Sequence, residues 1–311
     1  MFVPIIIGYA TIANCAFYPS SKEILLVSLL SKFLTAGFLF ILSAGLSMSA
    51  QQPVTADAQK AVTTPSPTQT PVPTPTPLVS AKDAAKNPTA EQIAETSIFF
   101  YGLGGGRATL NQIRKSAIER GKISVLNAEG KMEQASYQRF TTRGDNLGKD
   151  KIRLDQELPT ARFSLVFLDE KVFGIFNDKV FTPSDDASRA FQNQIVYGVE
   201  TLLRYKENKS KLALVGKEKM GGVEMHIIDV TDKQNRKTRF YISAKSFRVM
   251  ILEYENEGIK YRRKFYDYNI AQGTLFPFRT VLYAGDKIVE ETDIGTVTYG
   301  QKIDDGMYSA N

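Results

Sequence analysis

The chain has a single cysteine, Cys15, and a single histidine, His226. No intramolecular disulfide can form, so stability in an oxidising compartment must come from the core alone. A Cys/His zinc site cannot be assembled, and a Cys–His catalytic pair would have to join two unrelated regions. This shortage argues against an enzyme. The acidic pairs Asp185/Asp186 and Asp304/Asp305 fall at a helix start and in a polar closing segment, where capping and solvation account for them. No cofactor is implied. His226 lies in an apolar strand pattern, Val223 to Ile228, with no second histidine to share a metal, and reads as a structural residue.

Charge of one sign is not in large excess either. The net charge is +6 with a pI near 9.1, and acids and bases are interspersed. That balance favours anionic surfaces mildly, a membrane face among them, and does not mark a nucleic-acid binder.

Long apolar runs are confined to the first fifty residues. Lys32 precedes Phe33 to Leu46, an uncharged run with the length of a signal-peptide core. Ser47-Met48-Ser49 then offers small residues where a signal peptidase reads, which predicts cleavage near Ser49 or Ala50 and export to the periplasm or beyond. The competing reading is an uncleaved inner-membrane anchor, since Leu25 to Met48 could span a bilayer if Lys32 is tolerated. The first 21 residues contain Pro4 and Gly8 and carry no charge, which suggests a true start downstream of Met1. Cys15, within TIANC, has Asn14 where a lipoprotein cleavage box needs a small residue, and reads as incidental.

From 51 to 88 the chain changes character. Prolines at 65, 67, 71, 73, 75 and 77 fix φ and remove donors, so helix and sheet are both excluded. The stretch from Pro53 to Val79 then favours extended polyproline II, reaching about 80 Å at roughly 3.1 Å per residue. The expected organisation is an apolar signal or anchor over 1–50, a Pro/Thr-rich disordered linker over 51–88, and one folded β domain over 89–311.

Within that domain, Thr89 with Gln92 forms a capping-box signature and predicts a helix through Leu103. The glycine run GLGGGR breaks it; without a preceding strand or a GK[ST] ending, the run is not a phosphate loop. A second helix is expected over Leu110, Ile113, Ala117 and Ile118, up to Gly121. Period-two alternation then predicts strands over Arg162–Leu168 and Lys171–Phe176. Ser184 caps a third helix whose apolar stripe (Ala187, Phe191, Ile195, Val199, Leu202) should pack on a sheet. The last hundred residues read as a strand meander with turns at Glu257-Gly258, Gln272-Gly273 and Gly285-Asp286. A two-residue loop at Glu257-Gly258 would set Glu255 opposite Lys260 and Glu253 opposite Arg262 on one face. On the other it would set Tyr254 opposite Tyr261 and Met250 opposite Phe265. Two of the four charges in the basic run at 260–264, Lys260 and Arg262, then have cross-strand acidic partners, while Arg263 shares a face with Tyr261 and Phe265.

The stretch TRFYISAKSFRVMILEYENEGIKYRRKFYDYNIAQGTLFPFRTVLYAGDKIVEETDIGTVTYGQKIDDGMYS, residues 238–309, resembles the bacterial lipoprotein-carrier superfamily of LolA, LolB and LppX, and the resemblance extends from about Glu91 onward. It implies an α+β fold: a curved antiparallel half-barrel sheet covered by a few helices, with an apolar cavity between them. Members carry lipoprotein acyl chains or other lipids, and one branch senses such ligands for envelope-stress signalling. The implied partners are lipid or lipoprotein acyl chains and a membrane surface, with a membrane-tethered sensor or scaffold for an envelope protein as the alternative. No position safely matches the family's functional cavity arginine, and the missing lipid box after Lys32 argues against a lipidated acceptor. Alternation places Phe163, Leu165, Phe167, Met250, Leu252, Tyr254, Phe265, Phe276, Phe278 and Leu282 on the cavity side, with Arg263 and Arg279 as headgroup contacts at the rim.

Overall fold

The structure, a computed structural model, describes residues 88–309 apart from 128, 159 and 160. The signal or anchor, Cys15 and nearly all of the linker lie outside the described residues.

Helix α1 (Ala90–Tyr101) begins on the expected capping box: the Thr89 amide donates to Gln92 Oε1 at 2.8 Å and the Gln92 amide to Thr89 Oγ1 at 3.2 Å. Gly102 ends it, and a tight turn leads into α2 (Gly106–Ile113). A Cβ on Gly102 would lie 2.4 Å from the Gly106 carbonyl oxygen, so the glycine run is a close helix–helix turn. Arg107, its last residue, pairs with Glu95 at 3.0 Å and Glu207 at 2.7 Å. The second helix stops eight residues earlier than its spacing suggests. Arg114 caps it, and Ala117 and Ile118 belong to strand β1 (Ser116–Leu126), where partners on both sides override a short helical pattern.

Five strands follow β1 as a meander: β2 (Met132–Thr142), β3 (Lys151–Glu157), β4 (Arg162–Leu168), β5 (Lys171–Phe176) and β6 (Lys179–Phe181). β4 and β5 have the bounds that alternation gives them. The second meander comprises β7 (Lys211–Met220), β8 (Val223–Thr231), β9 (Lys237–Ser243), β10 (Val249–Asn256), β11 (Ile259–Ala271), β12 (Thr274–Ala284) and β13 (Lys287–Tyr299). β1 pairs with β13 and joins both meanders into one antiparallel sheet of thirteen strands, ordered 6-5-4-3-2-1-13-12-11-10-9-8-7. Consecutive strands β6 and β7 are therefore opposite edges. The chain between them must cross the whole sheet, and it does so as α3 (Asp185–Val196) and α4 (Val199–Leu203). Ser184 caps α3, its Oγ accepting from the Ala187 amide at 3.3 Å. The stripe expected to run along one helix is interrupted at Tyr197–Gly198, where the chain bends before Val199 and Leu202.

The hairpin at Glu257-Gly258 has positive φ at both turn residues (52° and 75°), the two-residue turn whose twist matches the strands. The pairs Glu255↔Lys260, Tyr254↔Tyr261 and Glu253↔Arg262 are all present. Met250 departs from this frame. β10 bulges against β9 between Val249 and Ile251, which turns Met250 to the opposite face, with Met225, Ile227, Tyr241 and Ile251.

Helices and sheet enclose two cores on one face. The larger lies under α1 and α4 and includes Ile93, Ile98, Leu202, Phe240 and Leu252; the smaller lies under α3 and includes Leu154, Leu165 and Phe191. The closing segment covers part of the other face, where Tyr308 packs on Val166 and Ile175. There Asp304 caps a short 3-10 turn (Asp305–Tyr308), and Asp305 pairs with Lys151 at 2.8 Å. Among the described residues no helix is long and apolar enough to cross a membrane.

Two predictions follow from this geometry. A Cβ on Gly121, at the β1/β13 register shift, would sit 2.2 Å from the Asp293 carbonyl oxygen, whereas one on Gly295 would make only an ordinary 3.5 Å contact with Arg120. Gly121→Ala should cost about 1–3 kcal/mol in urea unfolding, with Gly295→Ala near wild type; equal midpoints for the two would refute the close approach. His226 is buried beside Phe247, with its ring centroid 6.0 Å away. Burial and then Lys217 hold its pKa below the ordinary value of 6.5, only partly opposed by Glu224. The unfolded chain therefore binds the proton more readily, so this contribution to stability is complete above about pH 6.5 and is lost as pH falls below it. Melting temperatures across that range should show the loss in wild type and a smaller one in His226→Gln.

Candidate functional site

A cavity of about 230 Å³ separates the two cores, between the α3–α4 bend and the concave face formed by β1–β3 and β11–β13. Odd-numbered residues of β1 and β2 face it: Ala117, Glu119 and Ile123 on the first, Tyr137, Arg139 and Thr141 on the second. On β13 the phase changes at the bulge near Gly295. Glu290, Thr292 and Ile294 point inward before it, Val297 and Tyr299 after it. Ile195 and Val199 close the cavity from the helices.

The wall is not uniformly apolar. Two charged networks hold the helical crossing to the sheet. In the first, Glu200 of α4 accepts from Arg114 at 2.8 Å and from Arg143. Arg114 also donates to the Leu275 carbonyl at 2.7 Å and lies 5.5 Å from the Tyr299 ring centroid. Burial alone would raise the Glu200 pKa, but the charges of Arg143, Arg114 and Arg204 outweigh it and hold the carboxyl below the usual carboxylate value. Nearby, buried Arg204 grips Asp150 with bonds of 2.7 and 3.0 Å and the Gly144 carbonyl at 2.7 Å, fixing the β2–β3 loop beneath α4.

The second network runs from sheet to α3. Arg263 pairs with Glu290 at 2.8 Å, Gln194 of α3 donates to the other Glu290 oxygen at 3.0 Å, and Arg139 donates to Gln194 Oε1. Tyr137 donates to Glu119 alongside. Pairs this deep gain Coulomb energy only in part, because desolvation opposes it; what they secure is geometry.

Of the residues that alternation assigns to the cavity, Phe265 and Phe276 line it. Phe278 packs edge-on against Phe276, with centroids 5.6 Å apart. Phe163, Leu165 and Phe167 are core beneath α3. Leu252, Tyr254 and Leu282 are core on the other side, where Tyr254 stacks on Tyr197 at 3.9 Å. Met250 is on the opposite face for the bulge already described. Arg263 is on the cavity face, yet it is interior and not at a rim: it sits mid-strand, and its side chain is only 11% exposed. Arg279 is out of phase with Thr280 and so faces away, half exposed, 3.7 Å from Asp293 and over the Tyr266 ring.

Apart from Arg263, the charged members of the wall were not anticipated. Arg114 is hidden by the overlong helix reading. Glu119 and Arg139 carry a signal that the same reading obscures: counting back by twos from Ile123 sets Glu119 on the inner face, and its direct cross-strand partner is Arg139.

No protein-family model matches this chain, and no curated protein matches it. Solved structures do. A DUF1329 family protein from Desulfovibrio piger superposes with a TM-score of 0.53 at 11% identity, covering 71% of this chain and 97% of the other. A putative outer membrane lipoprotein-sorting protein domain from Vibrio parahaemolyticus gives 0.51 at 12% identity, covering 72% and 97%. A LolA superfamily protein from Nitrosomonas europaea gives 0.50 at 12% identity, covering 71% and 97%. An open, curved antiparallel sheet crossed on its concave face by a few helices is common to them and to this chain, and the domain has the LolA-type fold.

Proposed function

We propose that this protein is an exported carrier that holds the hydrocarbon chain of a lipid or lipoprotein in the cavity under α3 and α4. The supporting observation is the cavity itself, a partly open space between helices and sheet where two cores could have merged into one. Its apolar wall, from Ile123, Leu154, Ile195, Phe265 and Ile294, suits a methylene chain. Chain burial contributes about 0.8 kcal/mol per methylene, so useful affinity needs little polar chemistry. The signal-like apolar run and the proline-rich linker fit a domain that works in the envelope on a tether. At about 230 Å³ the cavity is smaller than most ligand pockets, which run from about 300 to 1,000 Å³. One chain fits this volume better than several, and hand-over of a larger anchor, as in lipoprotein sorting, requires the α3–α4 crossing to lift.

Native mass spectrometry of the full chain recovered from its own envelope tests this reading. A bound single-chain amphiphile is expected, with micromolar or tighter affinity on titration. Phe265→Asp should lower chain affinity at least tenfold, whereas Arg279→Ala, on the opposite face, should leave it unchanged. Recovery of the protein free of lipid, together with no binding of any chain amphiphile, would reject the carrier reading.

A further inference from the structure

Four arginines line the cavity: Arg114, Arg139, Arg143 and Arg263. Arg114 and Arg143 share Glu200, and Arg263 pairs with Glu290. Among the described residues Arg139 forms no ion pair. Its Nη2 donates to the neutral amide oxygen of Gln194, and its Nε is buried with no hydrogen-bond partner. The two nearby carboxylates make their bonds to other groups. Glu119, directly opposite on β1, accepts from Tyr137; Glu290 accepts from Arg263 and Gln194. On its other side Arg139 faces Leu154, which is fully buried.

A guanidinium whose Nε–H is buried without an acceptor and whose one bonded partner is a neutral amide is costly, and an entering carboxylate would remove that cost. Nε and a terminal nitrogen of the same guanidinium form the fork that a carboxylate accepts in bidentate fashion. We propose that the cavity takes a single-chain carboxylate, a free fatty acid, with its chain along the apolar wall and its carboxylate on Arg139. This assignment rests on the carrier reading and sharpens it. The acyl chains of a lipoprotein anchor end in esters and amides, which offer Arg139 no charge, and the cavity volume favours one chain. Arg139 is then the specificity residue, and Gln194 of α3 is the neutral acceptor that the ligand displaces.

Calorimetric titration of the full chain at pH 7.5 with dodecanoate, methyl dodecanoate, dodecanol and dodecyl phosphate tests the assignment. Dodecanoate should bind at least tenfold more tightly than its methyl ester or the alcohol. Arg139→Gln should abolish that preference while leaving ester affinity within about threefold. Arg139→Lys, which keeps the charge and loses the fork, should retain only part of it. Equal binding of acid and ester by the wild-type chain overturns the proposal without needing any variant to fold. So does a preference that survives in Arg139→Gln, or dodecyl phosphate binding tenfold more tightly than dodecanoate, which would assign a phosphate head. Binding of none of these probes refutes the carrier reading itself, an outcome distinct from binding without discrimination.

Discussion

The ladder between β1 and β13 is the constraint on which the rest of the domain depends. It runs from Ala117↔Tyr299 to Val125↔Glu290 and turns two separate meanders into one sheet. Once those strands pair, β6 and β7 are the outermost strands, and the only route between them lies across the sheet. The helical cover is thus a consequence of strand order. The cavity follows in turn: α3 packs on the β1–β5 side, α1 and α4 on the β7–β12 side, and the bend at Tyr197–Gly198 lies over the junction.

At that junction the electrostatics take over from hydrophobic packing. Glu200, Glu290 and Asp150 each meet at least one arginine at close range; the Glu200 and Asp150 pairs tie α4 and its end to the segments flanking β1–β3, and the Arg263–Glu290 pair, between β11 and β13, reaches α3 through Gln194. Removing one partner from such a pair leaves a buried charge uncompensated, at a cost of about 3–5 kcal/mol. The networks therefore define where the crossing sits more sharply than the apolar contacts do, since methylene packing alone tolerates sliding. They also give the cavity a polar lining within an apolar shell.

Much of this fold was legible in the residues. Capping residues Thr89 and Ser184, the turn at Glu257-Gly258 and the alternation in β4 and β5 each act locally, through a hydrogen bond, a φ preference or a face, and each is where the pattern puts it. What was not legible depends on partners far away in sequence. Ser116–Gly121 has helical spacing in isolation and becomes a strand because β2 and β13 flank it. Met250 fits a simple register until β9 imposes a bulge, and Arg263 reads as a rim residue until α3 covers it. The cavity wall was the least legible part. It draws on six strands and three helices, and its charged members look like ordinary solvated positions until the strands carrying them are ordered. The resemblance to lipoprotein carriers supplied the fold where alternation could not, and it left the polar lining unassigned.

The two outermost strands deserve a different reading, as boundaries. An antiparallel ladder has no internal reason to stop, since every edge offers unpaired amides and carbonyls to another strand. β6 is only three residues long, too short to template much addition. β7 is ten residues long, but a register shift between Leu214 and Gly216 disturbs its hydrogen-bonding line, and Lys211, Lys217 and Lys219 are exposed along it. Such breaks and charges blunt an edge without covering it. Among the described residues the sheet thus ends at thirteen strands, on two edges whose length, register and charge disfavour the addition of another.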